Sequence, residues 1–292
     1  MEEKVDPFGF KNVSQNYDKD RPRYSQRFLD EIIKHTSPLT NFIDIASGTG
    51  FVFYQLANKF HGNLVINDRS SKQLQVAKDK FKNYELEHEK VEFIESDAFD
   101  IHKNFSTPTK FDLVTVAQAL HWFDTDKFCE YVINNLLSED GTFAVLGYFR
   151  DGFDYNFPED PEFMKSGQKH YDKYYSIVLP YYDCDRVSLD QGFKNFDFTK
   201  YFEKVEVFRD ETQEEVPIER FTNYLGTSSA YNLYKNKYEK DANYEDPIEV
   251  LRKNVHQDLE AYYKKRNIPV KEKPLIMKLR YFLWILKKGI KY

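Results

Sequence analysis

Asn41-Phe42-Ile43-Asp44-Ile45-Ala46-Ser47-Gly48-Thr49-Gly50 is an apolar run that breaks into a turn of small residues. Directly after it Val52, Phe53, Leu56, Ala57 and Phe60 recur at helical spacing. Glycine is scarce, 11 in 292 residues, yet two fall two positions apart at this turn. A strand closing on Asp44, with Gly48 and Gly50 at a helix start, is how a doubly wound α/β sheet presents a nucleotide. The open helix N-terminus and glycine backbone let a ligand approach the main chain closely.

Working outward, the alternation is regular. A strand over 64–67 ends at Asp68, and a helix carrying Leu74, Ala77 and Phe81 follows. The next strand, 91–95, ends at Ser96-Asp97. A fourth, 111–116, runs into Ala117-Gln118 and then a helix with Phe128, Tyr131, Val132 and Leu136. Glu139-Asp140-Gly141 reads as the turn into a fifth strand, 142–148. Strands interleaved with helices imply a parallel sheet with right-handed crossovers. Upstream, Phe28, Leu29, Ile32 and Ile33 share one face of a helix. Beyond the fifth strand the pattern dissolves over 149–200, apart from a short helix near 163–175. Strand character returns at 202–209 and 275–286, with helices over 218–225 and 246–263 between them. The expected fold class is α/β: a doubly wound, mostly parallel seven-stranded sheet. An N-terminal cap (1–40) precedes the core (41–148). An inserted lid (149–200) follows, and 201–292 supplies the final strands and a helical lid of the same domain.

Composition excludes several classes. The net charge of −6, from 42 Lys plus Arg against 48 Asp plus Glu, gives no general attraction to phosphate backbones, so no nucleic-acid partner is expected. Cys129 and Cys184 lie far apart without metal-ligand spacing, which implies a reducing compartment and no metal. The start, MEEKVDPF, lacks the apolar run of a secretory signal. The late apolar run over 281–286 is far short of the roughly 20 residues that cross a bilayer. A cytoplasmic protein without a membrane partner is expected; its oligomeric state is not legible.

The turn itself narrows the ligand. A dinucleotide fold needs a third small residue where Phe53 stands, and a bulky ring there argues against a pyrophosphate and against a nicotinamide dehydrogenase. Asp68, 18 residues beyond Gly50, stands where such folds place an acceptor for ribose hydroxyls. The plainer alternative is a strand-end carboxylate that caps the next helix. Asp97 closes its strand in the same way, suited to an adenine amino group with Ala98 and Phe99 beside the base. His121 reads either as a satisfied core histidine or, beside Trp122 and Phe123 at the ligand edge, as a site residue.

Taken together, these segments resemble class I S-adenosylmethionine-dependent methyltransferases, a Rossmann-like family. FIDIASGTG is similar to their first motif, Asp-x-Gly-x-Gly-x-Gly, with Ala46 in the first glycine position; VINDRS resembles the second and ESDAFD the third. AQALHWFD, Ala117 to Asp124, resembles the trans-aconitate methyltransferase-like subgroup. So do FKNVSQNYDKDRPRYSQ near the start and FTNYLGTSSAYNLY, with Ser229, Ala230 and Tyr231; Ser228 stands where that subgroup often has Trp. The resemblance implies S-adenosylmethionine as cofactor, held by Tyr17, Arg21, Asp44, Ala46, Gly48, Gly50, Asp68, Arg69, Asp97, Ala98 and Gln118. It implies His121, Trp122 and Tyr231 as catalytic residues.

Methyl transfer is an in-line displacement, so the main task is to hold the acceptor within ~3–3.5 Å of the methyl carbon. A carboxylate oxygen is ionised near pH 7 and needs no base. It needs a clamp, for which Arg21, Arg150, Tyr148 and Tyr231 are candidates. An amine or hydroxyl would need deprotonation, for which His121 has the fitting chemistry. The expected substrate is a small carboxylic acid, similar to trans-aconitate. The competing expectation is a non-catalytic subunit of a larger assembly, motivated by Ala46, Ser228 and the Tyr-rich insertion.

Overall fold

The computed structural model describes residues 22–84, 91–269 and 274–288. Tyr17, Arg21 and the Arg150 side chain, named above, lie outside the described residues.

The chain opens with α1 (Gln26–Lys34), then β1 (Phe42–Ile45), α2 (Phe53–Leu56), β2 (Leu64–Asp68), α3 (Ser71–Phe81) and β3 (Val91–Glu95). β4 (Phe111–Ala117), α4 (Thr125–Tyr131) and β5 (Leu137–Tyr155) follow, then α5 (Pro161–Lys165), α6 (Gln168–Val178) and α7 (Arg186–Asp190). The remainder is β6 (Lys204–Val216), α8 (Ile218–Gly226), α9 (Ser229–Tyr238), α10 (Pro247–Arg266) and β7 (Leu275–Lys287). The expected seven strands form one sheet in the order β3-β2-β1-β4-β5-β7-β6. The pairs β3–β2, β2–β1, β1–β4 and β4–β5 are parallel. The chain winds outward from β1 to β3, then crosses back to β4. The order therefore reverses between β1 and β4, and at such a switch point the loops after neighbouring strands diverge and leave a crevice.

By interresidue contacts the chain forms two compact units. The first holds Pro22–Phe149, Cys184–Asp210 and the chain from Tyr281; the second holds Arg150–Asp183 and Glu211–Arg280. In the first unit every residue of β1 and β2 is buried, as expected of parallel strands covered on both faces. One core joins Ile43, Ile45, Val114 and Val116 to Phe128, Val132 and Leu136 of the segment after β4.

Three local features differ from the sequence expectation. The helix after β1 is one turn, continued by a 3-10 turn over Ala57–Lys59. Phe53 and Phe60 both stack on the Phe42 ring, at 5.3 and 5.0 Å between centroids, so the segment is pinned at both ends and cannot extend. Glu139-Asp140-Gly141 is not a turn but an irregularity inside β5. Phe111 pairs with Leu137 and Leu113 with Thr142, so β5 advances five residues while β4 advances two. Ser138 donates to Asp112 Oδ1 across this shift, while Asp112 Oδ2 accepts the Asn41 amide at the start of β1. The 149–200 segment, finally, is largely helical. Asp160 caps α5 with Pro161 in its first turn, and Tyr171, Tyr174 and Val178 bury one stripe of α6.

The second unit has its own aromatic core: Phe153 against Phe221, Tyr155 stacked on Phe163, and Phe163 stacked on Tyr262. Asp258 of α10 receives Lys169 Nζ and His170 Nε2, each at 2.8 Å, and the Tyr155 hydroxyl at 3.3 Å. α10 starts on an Asp246 cap and ends at Asn267, left-handed at φ +53°. Among the described residues no helix is long and apolar enough to cross a membrane.

Candidate cofactor site

The first unit gathers polar groups where β1, β2 and β4 end. Asp44, at 1% exposure, accepts the Thr115 hydroxyl on Oδ1 at 2.5 Å. Its Oδ2 is buried without a hydrogen-bond partner. Burial raises this carboxyl from its ordinary 3.8 to about 7. The Thr115 hydroxyl and then the Phe53 amide pull the other way, and the Asp68 carboxylate adds to the rise.

The turn after Asp44 owes its shape to three left-handed residues: Ala46 at φ +49°, Gly48 at +58° and Gly50 at +76°. Ala46 thus holds the conformation that glycine adopts freely. At Gly50 a side chain would also collide, since a Cβ there would lie 2.7 Å from the Tyr54 ring. The Gly48 amide donates to Asp68 Oδ2 at 2.8 Å, and Ser70 N donates to Oδ1 at 2.8 Å. Asp68 therefore faces the glycine turn and fixes the entry to α3, the second of these being the plainer of the two roles that its sequence position suggested. Asn67, at 1% exposure, ties three loops together. Its carbonyl accepts from Ser47 after β1, and its Nδ2 donates to Ile94 O and Ser96 O at the end of β3.

At the end of β4, Gln118 is left-handed at φ +53°. Ala46 and Gln118 follow the ends of neighbouring strands, because Ile45 pairs with Val116. Non-glycine residues in this region cost ~1–2 kcal/mol each and collect where function holds them. Gln118 Nε2 donates to Tyr148 O at 2.8 Å, while its Oε1 is buried without a partner. Gln73 of α3 is 3% exposed, and its Oε1 also lacks a partner. Arg69 lies with its guanidinium carbon 6.0 Å from the centre of the Trp122 ring. His121, 8% exposed, has its ring 5.6 Å from that of Trp122, and its carbonyl accepts from Asp185 N. Asp97 is exposed, its Oδ1 turned to the Phe99 amide, with Ala98 buried between them.

Asp44 Oδ2, Gln73 Oε1 and Gln118 Oε1 are all acceptors. A buried acceptor without a donor costs about 1–3 kcal/mol, so three around one turn imply a ligand that brings donors or positive charge. S-adenosylmethionine fits: its ammonium, ribose hydroxyls and adenine amino group donate, and its sulfonium is cationic. Among the described residues no group of His, Cys, Asp and Glu could hold a metal. The Cys129 thiol is pushed up to about 12, by burial first and then by Asp126 and Glu130, and is no nucleophile at neutral pH.

Over residues 36–203, more than half of its length, the chain matches the model of a family described as a methyltransferase domain. The chain belongs to this methyltransferase family. Its domain is of the class I, S-adenosylmethionine-dependent kind, and the family's cofactor is S-adenosylmethionine. It is 31% identical over 147 residues to a Saccharomyces cerevisiae protein named "Probable S-adenosylmethionine-dependent methyltransferase CRG1". That similarity covers 50% of this chain and 48% of the yeast protein, so the chain spans about half the length of this relative. A Dictyostelium discoideum protein named as a methyltransferase is 28% identical over 196 residues, covering 65% of this chain and 67% of its own length. In fold, the chain resembles a structure from Anaeromyxobacter dehalogenans named as a type II methyltransferase. The TM-score is 0.63 at 22% identity, over 91% of this chain and 97% of that one.

In this methyltransferase domain the structure brings Asp44, Ala46, Gly48, Gly50, Asp68 and Gln118 to one edge of the sheet, with Arg69, His121 and Trp122 in the loops beyond it. Tyr231 belongs to the second unit. It is 6% exposed, and its hydroxyl donates to Asp246 Oδ2 at 2.8 Å, the carboxylate that caps α10. Burial first, and the hydrogen bond to Asp246 next, push the pKa of its hydroxyl far above the ordinary tyrosine value, so it stays protonated. Ser228 pairs its hydroxyl with that of Tyr182 at 3.0 Å. Tyr148 is buried against Tyr24 and Tyr281. Sequence reasoning missed Asn67, Gln73 and Thr115. Asn67 and Thr115 carried a signal, a polar side chain inside an otherwise apolar strand run. Gln73 carried one too, a polar residue one position before Leu74 on the buried stripe of α3.

Proposed function

We propose that this chain transfers a methyl group from S-adenosylmethionine to a small-molecule acceptor at a carboxylate oxygen, in a reducing, cytoplasmic compartment. The observation that carries the donor half is the set of three buried acceptors without a hydrogen-bond partner, Asp44 Oδ2, Gln73 Oε1 and Gln118 Oε1. Asp44, Asp68 and Gln118 would hold the donor's ammonium and ribose; Gly48 and Gly50 let its backbone approach. The bound donor supplies an electrophilic methyl on a sulfonium. The protein's own part is then to orient the acceptor along the line of the departing sulfur and to exclude water. The carboxylate half rests on the similarity of AQALHWFD to the trans-aconitate methyltransferase-like subgroup, and on a reaction that asks for no base. His121 and Trp122 are proposed to face the acceptor. Tyr231 is proposed to hold Asp246 at the start of α10 rather than to touch the reacting atoms. Catalysis is favoured over a non-catalytic subunit role because Ala46 keeps the glycine-like turn.

The test combines calorimetry with S-adenosylhomocysteine and transfer of labelled methyl to a panel of di- and tricarboxylic acids. Micromolar binding with transfer to at least one acid is the expected result. Absence of binding overturns the donor assignment, and transfer to amines alone overturns the carboxylate.

A further inference from the structure

Glycine adopts positive and negative φ about equally, so nothing local makes Gly50 choose the +76° that it holds. Two hydrogen bonds fix the peptide between Thr49 and Gly50, one on each side. The Gly50 amide donates to Ser47 O at 3.0 Å, and Thr49 O accepts the Lys80 ammonium at 3.1 Å. A rotation of that peptide plane would break both. Thr49 is buried, where a carbonyl that loses its donor is not compensated by bulk water. Lys80 also completes a grip on the turn by a single helix. Asp68 ties the start of α3 to Gly48, through Ser70 N and Gly48 N. Lys80, half-buried in the last turn of α3, ties the end of the helix to Thr49. Its reach suits the helix, whose side chains lean towards the N-terminus. Tyr54 braces the same peptide. Its amide donates to Gly50 O at 3.0 Å, and its hydroxyl donates to Ala77 O of α3 at 2.5 Å. Tyr84, just past α3, donates to Tyr54 O.

We propose that Lys80 is a positioning residue for the methyl donor: by holding Thr49 O it locks the 49–50 peptide in the orientation that receives the S-adenosyl group. The inference rests on the methyl-donor assignment above, while the lock itself is a property of the ligand-free protein. Lys80 touches no reacting atom. A turn that samples both peptide orientations loses affinity in proportion to the time it spends in the wrong one. The fold need not weaken with it, because the bond to Lys80 spans one surface turn and not the core. The effect of removing the ammonium therefore falls on donor affinity and on the exchange of the Gly50 amide, not on global stability.

The experiment compares the parent chain with Lys80→Met, Lys80→Arg and Lys82→Met. Calorimetry reads S-adenosylhomocysteine affinity, NMR reads hydrogen exchange of the Gly50 amide in the ligand-free protein, and a thermal scan reads its melting temperature. Lys82 pairs with Asp79 at the surface and serves as the control for a lost charge. Lys80→Met should bind S-adenosylhomocysteine roughly five- to tenfold more weakly. Its Gly50 amide should exchange faster by about the same factor or more, with the melting temperature close to that of the parent. Lys80→Arg, which keeps a charged donor, should recover most of both, and Lys82→Met should match the parent. Parent-like affinity in Lys80→Met, or parent-like exchange at Gly50, overturns the proposal. Losses that track a lowered melting temperature, or that Lys82→Met shares, overturn it too, by assigning the effect to stability or to net charge. A parent protein that binds no S-adenosylhomocysteine overturns the donor assignment and the purpose given to the lock. Exchange at Gly50 then still reports separately whether Lys80 holds the peptide.

Discussion

Ala46 holds a backbone conformation that costs an L-residue about 1–2 kcal/mol, at φ +49°. Glycine would relieve that strain but adds freedom to the unfolded chain worth ~0.4–1 kcal/mol. Ala46→Gly should therefore leave stability unchanged or raise it by up to about 1 kcal/mol, read as a urea midpoint at constant slope. A clear loss of stability would mean that the alanine methyl has a packing role. Asp44 makes a pH prediction. Its folded value, about 7, lies above its ordinary 3.8, so between these limits the native state binds a proton that the unfolded state has lost. Its contribution is most favourable below about pH 4 and weakens as pH rises towards 7, by about 1.4 kcal/mol per unit of pKa difference. Asp44→Asn should remove that slope, so the stability gap between variant and parent changes from pH 4 to 7 and is then flat. A cationic ligand favours the ionised carboxylate. S-adenosylmethionine affinity should accordingly rise with pH up to about 7 in the parent and stay flat in Asp44→Asn.

Among the elements, β5 shows most clearly where the sequence was legible and where it was not. The strand–helix alternation through β4 was readable because each strand is a short apolar run closed by Asp or by a small-residue turn. Asp68 and Asp97 mark two of those ends correctly. Glu139-Asp140-Gly141 has the composition of a turn, yet it lies within β5, at a register shift that the Ser138 hydroxyl spans by donating to Asp112 of β4. No local signal distinguishes a bulge anchored by a distant partner from a reversal of the chain. The amides of Gln73 and Asn67 did carry a signal, a polar residue on a buried stripe or strand, but the groups they lie against belong to loops far away in sequence. α9 has no bounds of its own in the sequence reading, because resemblance rather than helical periodicity places its segment in the lid. Gly141 offers a direct check: a Cβ there would lie 2.8 Å from Leu137 Cδ1 and 2.9 Å from the Phe111 carbonyl oxygen. Gly141→Ala should destabilise by about 1–3 kcal/mol in urea unfolding, through overpacking at the shift. An unchanged midpoint would show that the strand accommodates the methyl group freely.

For the molecule as a whole, each of the two units has its own core, and electrostatics contributes differently to each. The first unit buries Asp44 at a cost that a ligand can relieve. In the second, burial would raise the Asp258 carboxyl, but hydrogen bonds from Lys169 and His170 outweigh it and hold the group below its ordinary value. A depressed carboxylate stabilises above its unfolded pKa and loses that contribution as pH falls through the folded value. Asp258→Asn should lower the unfolding midpoint at pH 7 by on the order of 1 kcal/mol, screening included, and the difference should close as pH drops below about 4. A gap that persists in acid would assign the effect to packing instead.

The chain contains only two tryptophans, and their positions have an optical consequence. Trp284 is anchored by its indole N–H, which donates to Gly192 O, and by the Phe198 ring beside it. Trp122 stands between the His121 ring and the Arg69 guanidinium. With Trp284→Phe, all indole emission comes from the loop after β4. A spectral shift on adding S-adenosylhomocysteine would then report ligand arrival at that loop directly, without a label and on the stopped-flow timescale.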